Sequence, residues 1–180
     1  MKKLPFQPFP TLSTPRLSLR ELNDRDAPDL SRLRSDEQVN KYLNRPSATT
    51  DVEAYQFIDK IHKAIARNES GYWVIALKPS SQLIGTICLW NFDLMNKTAE
   101  LGFELLPSFQ GKGMMHEAIE CVIQFGFKQC DIKMITAFTE INNLRSIRAL
   151  EKQGFQRDEH SNHSRDPELK GMLGYFLKRK

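Results

Sequence analysis

Gln110-Gly111-Lys112-Gly113-Met114-Met115 stands between a strand-like run and a helix-like run. Upstream, Ala99 to Leu105 is apolar with regularly placed polar residues, and downstream Met115, Ala118, Ile119, Val122 and Phe125 recur at helical spacing. A glycine-containing turn that opens directly into a helix exposes backbone N–H groups that the helix cannot satisfy. Together with the positive end of the helix dipole, those donors make a site for a phosphate or pyrophosphate. Glycine suits such a turn because a side chain would hold the anion off the backbone or forbid the required dihedral angles. Spacing excludes two anion-binding motifs. The nucleotide-triphosphate loop needs Ser or Thr after its lysine, and Gly113 follows Lys112. The dinucleotide fingerprint needs a third small residue where His116 stands, with an early βαβ unit that is missing here. The bland alternative is a tight turn with no ligand.

Around this turn the chain alternates in period. The first ten residues hold three prolines and read as an irregular arm. Strands are predicted over 16–22, 72–78, 84–91, 98–105, 133–139, 155–160 and 172–177, with Pro79-Ser80-Ser81 as a turn. A short helix capped by Asp24 or Asp26 runs to about Arg34. A longer one starts at the capping box Thr50-Asp51-Val52-Glu53 and presents Val52, Tyr55, Ile58, Ile61 and Ile65 on one face. The glycine turn and its helix occupy 107 to about 128. Asn142 or Asn143 starts a last helix, with Leu144, Ile147 and Leu150 inward and Gly154 as its stop. The order βααβββαβαββ argues for one mixed α/β domain over 1–180, about seven strands flanked by about four helices.

A chain of 180 residues can bury a substantial core. No apolar run approaches the ~20 residues that cross a bilayer, and the N-terminus lacks a signal-peptide pattern. Cys88, Cys121 and Cys130 show no CxxC spacing and read as small packing residues in a reducing cytoplasm. The net charge of +4 is scattered, without the clustered, aromatic-interleaved basic patch of a nucleic-acid binder.

The glycine turn resembles the acyl-coenzyme A-binding motif Q/R-x-x-G-x-G/A of the GNAT superfamily of N-acetyltransferases. Gln110 to Met114 fit, and Met115 departs at the final small-residue position. Gly111 to Ala118 also resembles the GKGYMTEA-like run of the branch that acetylates ribosomal-protein N-termini. Three further stretches match in the family's order. Thr14 to Arg20 looks like its TxRLxLR strand, Ala99 to Pro107 like its AEIGYxLxP strand, and Asn143 to Phe155 like its NxxSxxxLEKxGF helix. The resemblance implies the GNAT fold, acetyl-CoA as co-substrate without a metal, and direct transfer to a primary amine. A protein N-terminal α-amine is the favoured acceptor, with a small amine, polyamine or antibiotic as alternative. A non-catalytic acyl-CoA-binding regulatory module is the other class. A soluble cytoplasmic protein follows, with a homodimer left open.

The same resemblance implies roles. The N–H groups of Gly111, Gly113, Met114 and Met115 hold the pyrophosphate, and Gln110 orients the turn or touches the ligand. Lys112 is a solvent-facing spacer, with a phosphate contact as the lesser reading. Phe103, Glu104 and Leu105 offer strand backbone to the pantetheine arm. Asn143 caps its helix, binds pantetheine, or does both. Many family members carry a tyrosine at the place of Leu150, which has no proton to give, so Ser146 becomes the candidate thiolate stabiliser; its alternative is a small packing residue. Glu100 is the candidate base for the attacking ammonium, with Glu104 or an ordered water as competitors and a surface carboxylate as the plain reading. Trp73, Trp90 and Phe92 fit strand packing; bordering the acceptor is the further reading of Trp90 and Phe92, and the family reading of Tyr42 and its loop. His116 opens the helix where a charged ring would oppose the dipole, and it reads as solvent-facing. His160 and His163 read as loop residues and not as a metal pair.

Overall fold

The computed structural model describes residues 4–43, 45–46, 50–159, 169 and 171–179. Eight strands form one sheet in the order β1-β2-β3-β4-β5-β6-β8-β7. They are β1 (Leu12–Ser13), β2 (Leu17–Glu21), β3 (Ser70–Leu77), β4 (Gln82–Asp93), β5 (Thr98–Leu105), β6 (Met134–Glu140), β7 (Gln156–Asp158) and β8 (Met172–Lys178). Among the described residues five α-helices accompany them: α1 (Ala27–Ser35), α2 (Glu37–Asn40), α3 (Asp51–Ala66), α4 (Met114–Lys128) and α5 (Leu144–Lys152). All neighbours are antiparallel except β5 and β6. None of the described helices is long and apolar enough to cross a membrane.

The mixed sheet is as expected, with one strand and one helix more than the periodicity reveals. β1 has two residues and α2 four, too few for either period to register. α2 has its own cap, because Asp36 accepts from the N–H groups of Gln38 and Val39. The turn before α1 is capped by Asn23, not by Asp24 or Asp26. Asn23 takes the Arg25 N–H while Asp26 reaches back to the Asn23 N–H, a reciprocal pair. The expected box at Thr50 and Glu53 is present, with the Glu53 N–H on Thr50 Oγ1 and the Thr50 N–H on Glu53 Oε2.

Strand alternation divides the core between two faces. Leu89 meets α4, where a Cβ on Gly126 would stand 3.0 Å from its Cδ1. On the opposite face Tyr72 packs edge-on against Phe57 of α3. The irregular arm is not a loose tail: Phe6, 1% exposed, sits among Phe9, Trp73, Phe92 and Phe125. Trp73 donates to the Pro10 carbonyl at 2.9 Å. Trp73 and Phe92 thus pack in this aromatic cluster, as their strand positions predict.

Candidate active site

The glycine turn adopts the conformation its residues allow. Gly111 and Gly113 have φ of +73° and +77°, and Gly113 is the N-cap of α4 without any side-chain cap. The first helical bond runs from the Glu117 N–H to the Gly113 carbonyl at 3.2 Å. The N–H groups of Met114, Met115 and His116 lie ahead of it and find no acceptor within the helix.

The turn is held from behind by β2 and the residues leading into it. Arg16 Nη1 donates to the Lys112 carbonyl at 2.8 Å, and Arg16 Nε to Glu117 Oε1 at 2.6 Å. Thr14 Oγ1 donates to the other carboxylate oxygen at 2.7 Å. Partial burial pushes the Glu117 carboxyl up, but the Thr14 and Arg16 bonds outweigh it and hold it below the usual carboxylate range. Gln110 spans the turn's other side, donating to the Leu105 carbonyl at 2.7 Å and accepting from Arg145 Nη1. Gln110 thus links the end of β5 to α5 across the turn. Lys112 is exposed, 5.9 Å from the Phe109 ring centroid, and does not line the cleft.

Beside the turn the sheet splits. β5 and β6 pair only at Thr98↔Met134, Ala99↔Ile135 and Glu100↔Thr136, whereas β6 continues against β8 to Glu140. Residues 101–105 pair with β4 alone; apart from the Leu105 carbonyl, which Gln110 takes, their other edge is open to a strand-like ligand. A cleft of about 730 Å³ fills the split. It gathers Phe103, Glu104 and Leu105 from β5, Gln110, Gly111, Gly113, Met114 and Met115 from the turn, and Asn143 and Ser146 from α5. Tyr42, Trp90 and Glu100 stand along the same walls.

α5 is fixed at both ends. Asn143 Oδ1 accepts the Ser146 N–H at 3.2 Å, so its capping role is present. At the far end Gly154 has φ +85°; its N–H bonds the Glu151 carbonyl, and the Phe155 N–H bonds that of Leu150. Leu150 is buried, 1% exposed, and presents only hydrocarbon to the cleft.

The two carboxylates of β5 differ. Glu104 is tied to Arg45, 2.6 Å away, and accepts from Thr86 Oγ1 at 3.1 Å. Glu100 is half-buried and accepts a long bond from Asn91 Nδ2 at 3.5 Å. Burial pushes the Tyr72 hydroxyl up and the Cys88 thiol up to about 12, with Glu104 adding to both shifts. Trp90 is 44% exposed at the mouth. Sequence reasoning missed Arg45, which has no neighbouring motif, and took Arg16 only as part of a strand signature. His160, His163 and Asn44 lie outside the described residues. No cluster of three metal-binding side chains occurs among the described residues.

The acetyltransferase (GNAT) domain family matches residues 16–156. The chain belongs to the GNAT family. It is 32% identical over 148 residues to the uncharacterised N-acetyltransferase p20 of Bacillus licheniformis, across 82% of this chain and 83% of that protein. A ribosomal-protein-serine acetyltransferase of Escherichia coli is 28% identical over 41% of each chain. Among solved structures, RimL, a ribosomal L7/L12 α-N-protein acetyltransferase in complex with coenzyme A, superposes with a TM-score of 0.82 at 17% identity, covering 94% of this chain and 98% of its own. The GNAT fold is thereby established, and the protein is an acetyl-CoA-dependent acetyltransferase. The four stretches read in the sequence span the matched region.

Proposed function

We propose that this GNAT protein moves the acetyl group of acetyl-CoA onto a protein N-terminal α-amine, and that residues of the β5–β6 cleft perform the transfer. The observation that carries the reading is the convergence, in one cleft, of an uncapped glycine turn, an open strand edge and a carboxylate. The turn's N–H groups suit the diphosphate of CoA, and the open edge of 103–105 suits the pantetheine amides. Bound acetyl-CoA supplies an activated thioester carbonyl. Glu100 accepts a proton from the incoming ammonium, so that a lone pair can form the new N–C bond. The Ser146 hydroxyl donates a hydrogen bond to the sulfur as the C–S bond breaks, and the departing thiolate takes up the second proton that the acylated nitrogen releases. Glu104 stays in its ion pair with Arg45, so it is not the base. Similarity to RimL and to the ribosomal-protein-serine enzyme supports the N-terminal acceptor. The half-exposed Trp90 at an open mouth suits an extended peptide better than a sealed small-molecule pocket.

The test is thiol release from acetyl-CoA with N-terminal peptides and small amines offered in parallel. Peptide turnover, lowered most at low pH by Glu100→Gln and lowered in rate more than in CoA affinity by Ser146→Ala, is the expected result. Turnover with small amines alone would refute the acceptor assignment, and an unaltered pH–rate profile would clear Glu100 of the base role.

A further inference from the structure

His116 does more than open its helix. Gln153, the C-cap residue of α5, places its Nε2 2.7 Å from the His116 carbonyl and 2.9 Å from His116 Nδ1. A carbonyl only accepts, so the Gln153 atom facing it is the amide nitrogen and not the amide oxygen. The second hydrogen of that nitrogen then points at Nδ1, which must receive it on a lone pair. The ring is therefore the neutral tautomer that carries its proton on Nε2. Nε2–H has no acceptor among the described residues, and half-buried His116 lines the cleft.

Position decides what that donor meets. His116 is the third residue of α4, the last of the three whose backbone N–H groups the helix leaves open. Helical side chains lean toward the N-terminus, so a ring at this position leans back toward the mouth of the glycine turn. A charged imidazole there would add to the positive end of the dipole, whereas a neutral Nε2–H adds a directed donor without that cost. We infer that His116 is a cofactor-binding residue whose Nε2–H donates to a diphosphate oxygen of CoA, with Gln153 as the positioning residue that holds the tautomer. The inference rests on reading the turn as a CoA diphosphate cradle.

The experiment is calorimetry of the wild type, His116→Phe, His116→Gln and Gln153→Leu with CoA, dephospho-CoA and pantetheine, beside thermal melts. Loss of a hydrogen bond to a charged phosphate weakens binding about tenfold or more. His116→Phe is expected to show that loss with CoA and dephospho-CoA but not with pantetheine, which lacks the diphosphate. His116→Gln, which keeps a donor nitrogen near the Nε2 position, is expected to recover most of the affinity. Ring nitrogen shifts, assigned by their absence in His116→Phe, should report the Nε2–H form in the wild type and a mixture in Gln153→Leu. Wild-type CoA affinity in His116→Phe, or equal losses with CoA and pantetheine, would overturn the inference and leave only a helix-to-helix tie. A loss confined to CoA and absent with dephospho-CoA would overturn the diphosphate assignment. A wild type that binds no CoA would sink the cradle itself, which is a separate failure.

Discussion

Replacing Arg16 with Met tests whether the glycine turn is shaped from behind. The change keeps a long apolar stem but removes the donors to the Lys112 carbonyl and to Glu117 Oε1. Each net hydrogen bond is worth about 0.5–1.5 kcal/mol. The ion pair adds little, since the Arg16 side chain is 43% exposed and an exposed pair contributes about 0–1 kcal/mol. The clamp is therefore worth about 1–3 kcal/mol in all. If that energy holds the turn in its anion-ready shape, CoA affinity falls about five- to 140-fold, at 1.4 kcal/mol per factor of ten. Glu117 keeps its Thr14 bond in this variant, so the fold should survive. Calorimetric titration with CoA measures the loss. Adding Glu117→Gln should cost less than the sum of the two single changes, because both act on one contact. Unchanged CoA affinity accompanied by the full loss in denaturant stability would refute the reasoning and make the clamp a fold element only.

The two turn glycines should differ in sensitivity. A Cβ at Gly111 meets nothing within 4 Å and costs only its positive φ, about 1 kcal/mol, whereas one at Gly113 also stands 3.3 Å from Arg16 Nη2. Gly113→Ala should thus weaken CoA binding more than Gly111→Ala, and equal effects would contradict this. Glu117 should make stability depend on pH. Its folded-state value lies below the 4.5 of a free glutamate, so its contribution is present above 4.5 and lost as pH falls through the lowered value. Urea midpoints followed down through that window should converge for wild type and Glu117→Gln. Cys88, with its thiol near 12, stays protonated at pH 8 and should resist alkylation until the protein unfolds, as peptide mass mapping would reveal.

The local chemistry of this chain is written in neighbouring residues, and so was legible. The strand over 98–105 follows from alternation, the start of α3 from Thr50 and Glu53, and the end of α5 from Gly154, each a matter of a few consecutive positions. Quoted motifs then brought the fold with them, because their order along the chain is that of the family. Two elements escaped because two or four residues span barely one period and so show no recurrence.

Contacts between distant parts of the chain were decided otherwise. Thr14 and Glu117 are 103 positions apart, and His116 and Gln153 are 37 apart. Nothing in their local patterns foretells the pairing. Arg45 meets Glu104, 59 positions along the chain, on the face of β5 that Glu100 and Glu104 share. By itself the sequence determined the elements, their order and the glycine turn, since backbone preference and periodic burial act over a few residues. Only the tertiary structure decided that Glu104 pairs with Arg45, how the turn is clamped and that Gln153 meets the His116 ring. Each of these depends on donors and acceptors that the packed sheet brings within three ångströms or so.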